Sequence, residues 1–338
     1  MRAFLVLCAL VVLVACGAAV WGWNDYRQSV SSTVAAPSAV EFTIERGWSA
    51  RRVSNELAAA GLIDKPYWFE FEARRSGKAA GIRSGEYVIE PGTTVAGLLD
   101  VFEQGRTREY AHTIIEGNNF REMLTRVAGI VRLEHTLDAQ ASFDERGAAL
   151  MEAIGYADLH PEGQFFADTY RFPTGTSDVE YFARAKRLLD KVLAEEWEGR
   201  TDGLPIETPY EALILASIVE KETAVAAERP LIAGVFMSRL NKGMRLQTDP
   251  TVIYGIGESF DGDIRRSDLT TDTPYNTYTR SGLPPTPISM VGREAIHAVM
   301  HPESTTKLYF VSKGDGTHQF SETLEQHNAA VRKYQLGQ

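Results

Sequence analysis

An uncharged run of 21 residues, Ala3 to Trp23 (AFLVLCALVVLVACGAAVWGW), lies near the start of the chain. As a helix rising ~1.5 Å per residue it would span ~30 Å, one bilayer core. Arg2 precedes it, and Trp21, Trp23 and Tyr26 would form an interfacial aromatic belt. The single Arg and the terminal amine favour an N-terminus inside and a body outside. Two other readings compete with a retained transmembrane helix. A cleaved signal peptide usually has a shorter apolar core, ~7–15 residues. Leu13-Val14-Ala15-Cys16 resembles a lipobox with Cys16 as the lipidated residue, but the apolar run continues past Cys16 to Trp23. All three export the body. The expectation is a single-pass inner (cytoplasmic) membrane protein with its body on the periplasmic side.

The body must then fold as an exported soluble part. At ~100–200 residues per domain, 338 residues suggest two or three domains. Apolar residues make up 44% and charged residues 24%, enough for a real core. The net charge is -10, and no basic run exceeds a pair, which argues against nucleic acid as a partner. The two cysteines, Cys8 and Cys16, both fall in the apolar segment. The remainder therefore has no disulfide framework, no Cys-ligated zinc and no catalytic thiol.

The pattern divides the chain into an anchor (1–28), a flexible tether (29–40), a small subdomain (41–105) and a larger mixed α/β domain (106–338). The tether is small, polar and Pro-containing, SVSSTVAAPSAV. Glu41–Ile44 reads as a strand. Ser49 caps a helix over Ala50–Ala60, and Asp64 and Pro66 start a second running to about Arg75. Ser84–Ile89 reads as a strand closed by Pro91-Gly92. This βααβ order resembles the LysM module, a small peptidoglycan-binding fold. The fold class expected overall is α+β.

The chemistry concentrates beyond residue 208. Tyr210–Thr223, YEALILASIVEKET, is helical and apolar round much of its surface. Glu220 follows Ala216 and Ser217 on a stripe of small residues. Glu222 lies about 200° further round and faces elsewhere. A poorly solvated carboxyl keeps its proton to higher pH, which a general acid working near neutrality requires. Glu220 is the residue this reasoning selects; pairing with an Arg or Lys is the alternative. Loops at 244–255, 274–278 and 282–288 are dense in Tyr, Asn, Gln and Thr. Such side chains suit sugars, with aromatic faces for pyranose rings and amides for hydroxyl and N-acetyl groups. Asp249, between Thr248 and Pro250, reads as a turn or cap.

Four blocks in this order, SIVEKET, RLQTDPTVIYG, PYNTY-x3-GLPPTPI and LYFVSKGDGTHQFSETLEQHN, resemble the YceG-like (MltG) family of endolytic murein transglycosylases. A fifth block at 162–170, EGQFFADTY, is similar too, with Ala167 where the family pattern has Pro. The resemblance implies a membrane-anchored enzyme with a LysM-like module and a catalytic domain that cuts glycan strands internally. It carries the catalytic Glu over to Glu220. The substrate-binding residues expected are Gln247, Tyr254, Tyr275, Asn276 and Tyr278. Cleavage would fall between N-acetylmuramic acid and N-acetylglucosamine and leave a 1,6-anhydro end. No cofactor and no metal are expected. Peptidoglycan strands are the expected partner, with cell-wall synthases as candidates. Lytic cleavage consumes no water, so it does not require the second carboxylate of a two-carboxylate glycosidase.

Two rivals remain. One is a metal-dependent cell-wall hydrolase: His297 and His301 are four apart, with Glu294 three before, although HExxH is absent. The other is a non-catalytic peptidoglycan-binding scaffold using the LysM-like module alone.

Overall fold

The computed structural model describes residues 2–337, with side chains from Phe4 onward. Met1, Gln338 and the flanking charge of Arg2 lie outside the described residues. The described chain is mixed α/β, with thirteen α-helices and strands paired only in two-stranded sheets. It divides into two compact units. The first runs to Tyr110 and includes Phe172–Gly175; the second holds Ala111–Arg171 and the chain from Thr176 on.

The first unit begins with α1 (Arg2–Ser31), a 30-residue helix. Its stretch Phe4–Ser31 is long and apolar enough to cross a membrane, with mean hydropathy 2.8 in its most apolar window. The helix outlasts the apolar run because its last turns have tertiary partners. Tyr26 is buried and donates to Glu72, and Arg75 Nε donates to the same hydroxyl at 2.7 Å. Asp25 accepts from Lys65 Nζ (2.5 Å) and Trp68 Nε1 (2.9 Å). Within the expected tether, residues 29–40, the chain finishes α1 and then lies against the first unit's core. Ser29–Ser31 complete α1, Val34 N donates to Thr93 O at 2.8 Å, and Val34 and Ala36 sit in the core. Two apolar side chains in a polar run are enough to dock it.

Next come β1 (Val40–Ile44), α2 (Ala50–Ala59), α3 (Pro66–Arg75), β2 (Gly85–Ile89) and α4 (Val95–Gln104). The two strands pair antiparallel, Val40 opposite Ile89 and Ile44 opposite Gly85. Alternation in β1 turns Phe42 and Ile44 inward and Glu41 and Thr43 outward. Ser49 and Thr94 cap α2 and α4 by accepting from Arg52 N and Gly97 N, and Pro66 opens α3. Val53, Leu57, Phe69, Tyr87, Leu98 and Phe102 are fully buried together.

β3 (Glu109–Thr113) carries the chain into the second unit. There follow α5 (Phe120–Ala128), β4 (Leu133–Glu134), α6 (Phe143–Ala153), β5 (Thr169–Pro173), β6 (Thr176–Ser177), α7 (Asp178–Glu198) and α8 (Pro209–Glu222). Then come α9 (Arg229–Asn241), α10 (Asp249–Ile256), α11 (Arg266–Thr270), α12 (Arg293–Met300), the hairpin β7 (Tyr309–Ser312) and β8 (His318–Ser321), and α13 (Leu324–Tyr334).

α8 is the centre of this unit. Thr208 and Glu211 form a reciprocal capping box at its start and Pro209 holds its first position. Every residue from Ala212 to Val219 is buried. A helix apolar on all sides has to be packed on all sides. Ile232 and Phe236 of α9 and Ile296 and Val299 of α12 share its core, with Leu189 and Val192 of α7. This packing fixes the direction in which the last turn of α8, with its two carboxylates, points.

Candidate functional site

Glu220 and Glu222 leave the end of α8 on different faces, as their spacing requires. The Glu220 carboxylate is enclosed, with its side chain 4% exposed. Arg229 donates to Oε1 at 3.0 Å, and the Gly292 N–H at the start of α12 donates to Oε2 at 3.0 Å. Arg229 also donates to Glu294 Oε2 at 2.5 Å. Burial pushes the Glu220 pKa up, against the Gly292 N–H and the Arg229 charge, which pull it down. A Cβ at residue 292 would lie 1.9 Å from Glu116 Oε1, so any side chain there would displace the exposed Glu116 carboxylate. Glu220 thus ties α8, α9 and α12 together, and both its oxygens are occupied.

Glu222 has a different setting. Its Oε1 faces Thr248 Oγ1 at 3.4 Å, a long and weak contact. Burial and then the charge of Asp249 push its pKa up to about 8. Thr248 and Arg239 act in the other direction. TDPTVIYG forms α10, with Thr248 before its first turn and Asp249-Pro250 within it, which is why Thr248 and Asp249 are held at this carboxyl. Tyr278 OH donates to Asp249 Oδ1 at 2.6 Å. Arg239 is buried and spends its guanidinium on the carbonyls of Leu308 (2.6 Å), Arg245 (3.1 Å) and Leu246 (2.9 Å), with Gln247 Oε1 at 3.4 Å.

A third carboxyl, Glu162, sits in the EGQFFADTY block. It is buried, and its two oxygens accept the Phe120 N–H at 3.0 and 3.1 Å, at the start of α5. Tyr254 OH donates to it at 3.0 Å. Burial pushes its pKa up to about 7. Glu162 and Tyr254 line a groove of about 780 Å³, together with Phe120, Lys221, Ile253 and Phe260. A smaller cavity of about 530 Å³ includes Arg229, Arg293 and Glu294 in its wall, on the side of the Glu220 cluster.

The residues expected to bind substrate divide. Gln247 is exposed and takes φ 50°, the one non-glycine positive φ among the described residues. Its backbone is held by Thr277 O at 3.2 Å. Tyr278 joins the Glu222 group through Asp249. Tyr254 and Tyr275 stack edge to face at 4.7 Å, and Tyr275 OH shares a hydrogen bond with Thr286 Oγ1 at 2.8 Å. Asn276 is fully buried. Its amide donates to the carbonyls of Asp268, Leu269 and Thr271, while its oxygen accepts from Tyr278 N. That leaves it no free group for a ligand, so it braces the loop that carries Tyr278. Sequence reasoning did not single out Glu162, Arg239 or Arg229, because a residue's use in a site depends on which distant segment meets it.

Glu294 pairs with Arg229, which removes it from the hydrolase-like trio with His297 and His301. A different carboxylate, Glu196 of α7, stands beside those two histidines.

The model of the YceG-like family matches residues 42–333. The chain belongs to that family. A Bacillus subtilis (strain 168) relative named endolytic murein transglycosylase is 29% identical over 307 residues, 87% of this chain and 84% of the relative. A Streptococcus pneumoniae (serotype 2, strain D39) protein of the same name is 27% identical over 322 residues. The match covers 86% of this chain and 57% of that protein. The 2.6 Å crystal structure of a putative YceG-like protein from Listeria monocytogenes superposes with a TM-score of 0.52 at 27% identity. It covers 88% of this chain and the whole of that one. The family match spans the α8 end, α10 and the loop at 274–278 together, so the carboxyl groups described above lie within the YceG-like part of the chain.

Proposed function

We propose that the chain is an endolytic murein transglycosylase and that Glu222 is its general acid. The names of the relatives supply the substrate class. The observation that carries the residue is the setting of Glu222: a half-buried carboxyl at the end of α8 beside Thr248, whose pKa desolvation and the Asp249 charge push up to about 8. In this reading Glu222 protonates the oxygen between N-acetylmuramic acid and N-acetylglucosamine. The bond breaks and an oxocarbenium-like centre forms at C1 of the muramoyl sugar. Glu222, now a carboxylate eased by the Arg239 charge, takes the proton of that sugar's C6 hydroxyl. The oxygen closes on C1, which gives the 1,6-anhydro end and returns the acid to its starting form. Glu220, chosen first from the sequence, becomes a positioning residue that holds Arg229 and the start of α12.

The order β1–α2–α3–β2 supports a LysM-like, glycan-binding role for the first unit. The apolar α1, with Trp21 and Trp23 exposed, supports anchorage in the inner membrane with the body on the periplasmic side. There the enzyme would meet nascent strands and the synthases that make them.

The test is glycan digestion by the full chain and by Glu222→Gln and Glu220→Gln, with mass spectrometry of the products. Wild type should give anhydro ends. Glu222→Gln should lose ~10²-fold or more with its melting temperature retained, as expected for a lost general acid. Glu220→Gln should melt early. A dead, fully stable Glu220→Gln beside an active Glu222→Gln would return the acid to Glu220.

A further inference from the structure

Among the described residues, one group outside these carboxyl clusters gathers nitrogen and oxygen ligands of the kind that hold metal ions. His297 and His301 lie one turn apart at the end of α12, with ring centroids 4.4 Å apart. Glu196, near the end of α7, meets them from the neighbouring helix. One ligand atom from each of the three lies within 4.8 Å of the other two. His297 Nδ1 is 2.8 Å from Glu196 Oε2. The other Glu196 oxygen accepts from Arg293 NH1 at 2.8 Å, which fixes the carboxylate's direction.

We propose that Glu196, His297 and His301 form a binding site for a first-row divalent metal ion, zinc foremost. Two imidazoles and one carboxylate are a donor set that zinc accepts, with a water completing four-coordination. Tetrahedral bonds of ~2.0–2.2 Å set ligand atoms ~3.4 Å apart, so the widest-spaced atoms would close by about 1 Å while His297 Nδ1 and Glu196 Oε2 open from 2.8 Å. The His297 side chain is 58% exposed and Glu196 10% exposed, so the rotation required falls on the freer partner. A ligand carboxylate oriented by a hydrogen bond, as Glu196 is by Arg293, is the usual outer-shell arrangement. Binding would release any proton held by the ring nitrogens that become ligands. The ion would clamp α12 to α7, and α12 begins at the Gly292 N–H that holds Glu220. The site takes no part in the proposed cleavage, and it stands whether or not that reading holds.

The experiment uses the full chain in detergent, without a histidine tag and stripped of metal by chelator. Zinc chloride is titrated in, bound zinc is counted by elemental analysis after gel filtration, and the melting temperature is followed. One zinc per chain and a rise in melting temperature are expected. His297→Ala and Glu196→Gln should each weaken binding by at least about tenfold, the loss seen when even a supporting residue of a metal site is removed. His297 is exposed, so its variant should fold; Glu196→Gln keeps the side chain's shape and guards against a folding artefact. Cobalt(II) in place of zinc should give visible absorption bands that His297→Ala loses. A wild type that retains no zinc overturns the proposal, as does equal retention by wild type and both variants.

Discussion

Two carboxyls separated by one lysine behave differently because their neighbours differ. Glu220 is met by a guanidinium and an N–H, Glu222 by a hydroxyl and another carboxylate. The sign of the pH effect follows. With its folded pKa near 8, above the usual carboxyl value of 4.5, Glu222 binds a proton in the folded state that the unfolded chain has lost. Stability should therefore fall as pH rises from about 4.5 to about 8. Glu162, pushed up to about 7, adds to the fall over the lower part of that window. Glu222→Gln removes its share, so melting curves from pH 5 to 8.5 should slope less than wild type; an equal slope would contradict the assigned burial. Cleavage per folded molecule should decline above pH 8 as the acid loses its proton. Asn276→Ala makes a different prediction. The partly exposed carbonyls of Asp268, Leu269 and Thr271 lose their donor, so stability should drop by about 1–3 kcal/mol while the folded fraction still binds glycan through Gln247 and Tyr278. A variant with a normal melting temperature and weak binding would restore Asn276 as a ligand.

The elements hold the site through close approaches. Gly163, next to Glu162, has φ +73°, and a Cβ there would lie 2.4 Å from Pro287 Cβ and 3.2 Å from Ser289 O. Both the backbone angle and the space exclude a side chain. Gly163→Ala should lower stability by more than about 2 kcal/mol, measured by denaturant unfolding, because it adds left-handed strain to a clash with a rigid ring. It should also disturb the Tyr254–Glu162 bond, read as a weakened affinity for glycan. The contrast is with Gly47 and Gly61, where positive φ values occur and nothing lies within 4 Å. Helices were the most legible elements. Thr208-Pro209 and Glu211 announce the start of α8, and its apolar character announces its burial. The helix α10 was less legible: Thr-Asp-Pro reads as a turn until Val252 and Thr251 find a core to enter.

At the scale of the molecule, the apolar helix should keep the chain with the membrane. Cys16→Ser should remain membrane-bound through an alkaline wash, and a fatty-acid probe should not label wild type at Cys16. Label that disappears in Cys16→Ser would mean a lipid anchor in place of a spanning helix. The long apolar helix, the βααβ order of the first unit and the family blocks could all be read from the chain, because each is local. Length against bilayer thickness, strand alternation, caps and contiguous motifs need no knowledge of distant neighbours. The sequence also determined that a carboxyl at the end of α8 would be poorly solvated, since the helix leading to it is apolar on every side. Which groups meet each of the two carboxyls was decided only in three dimensions. Arg229 and Gly292 come from α9 and α12 to occupy Glu220. Thr248 and Asp249 come from α10 to face Glu222, and Glu196 crosses from α7 to the histidines of α12. A side chain's protonation depends on the charges and donors within a few ångströms, and packing of sequence-distant helices sets that neighbourhood.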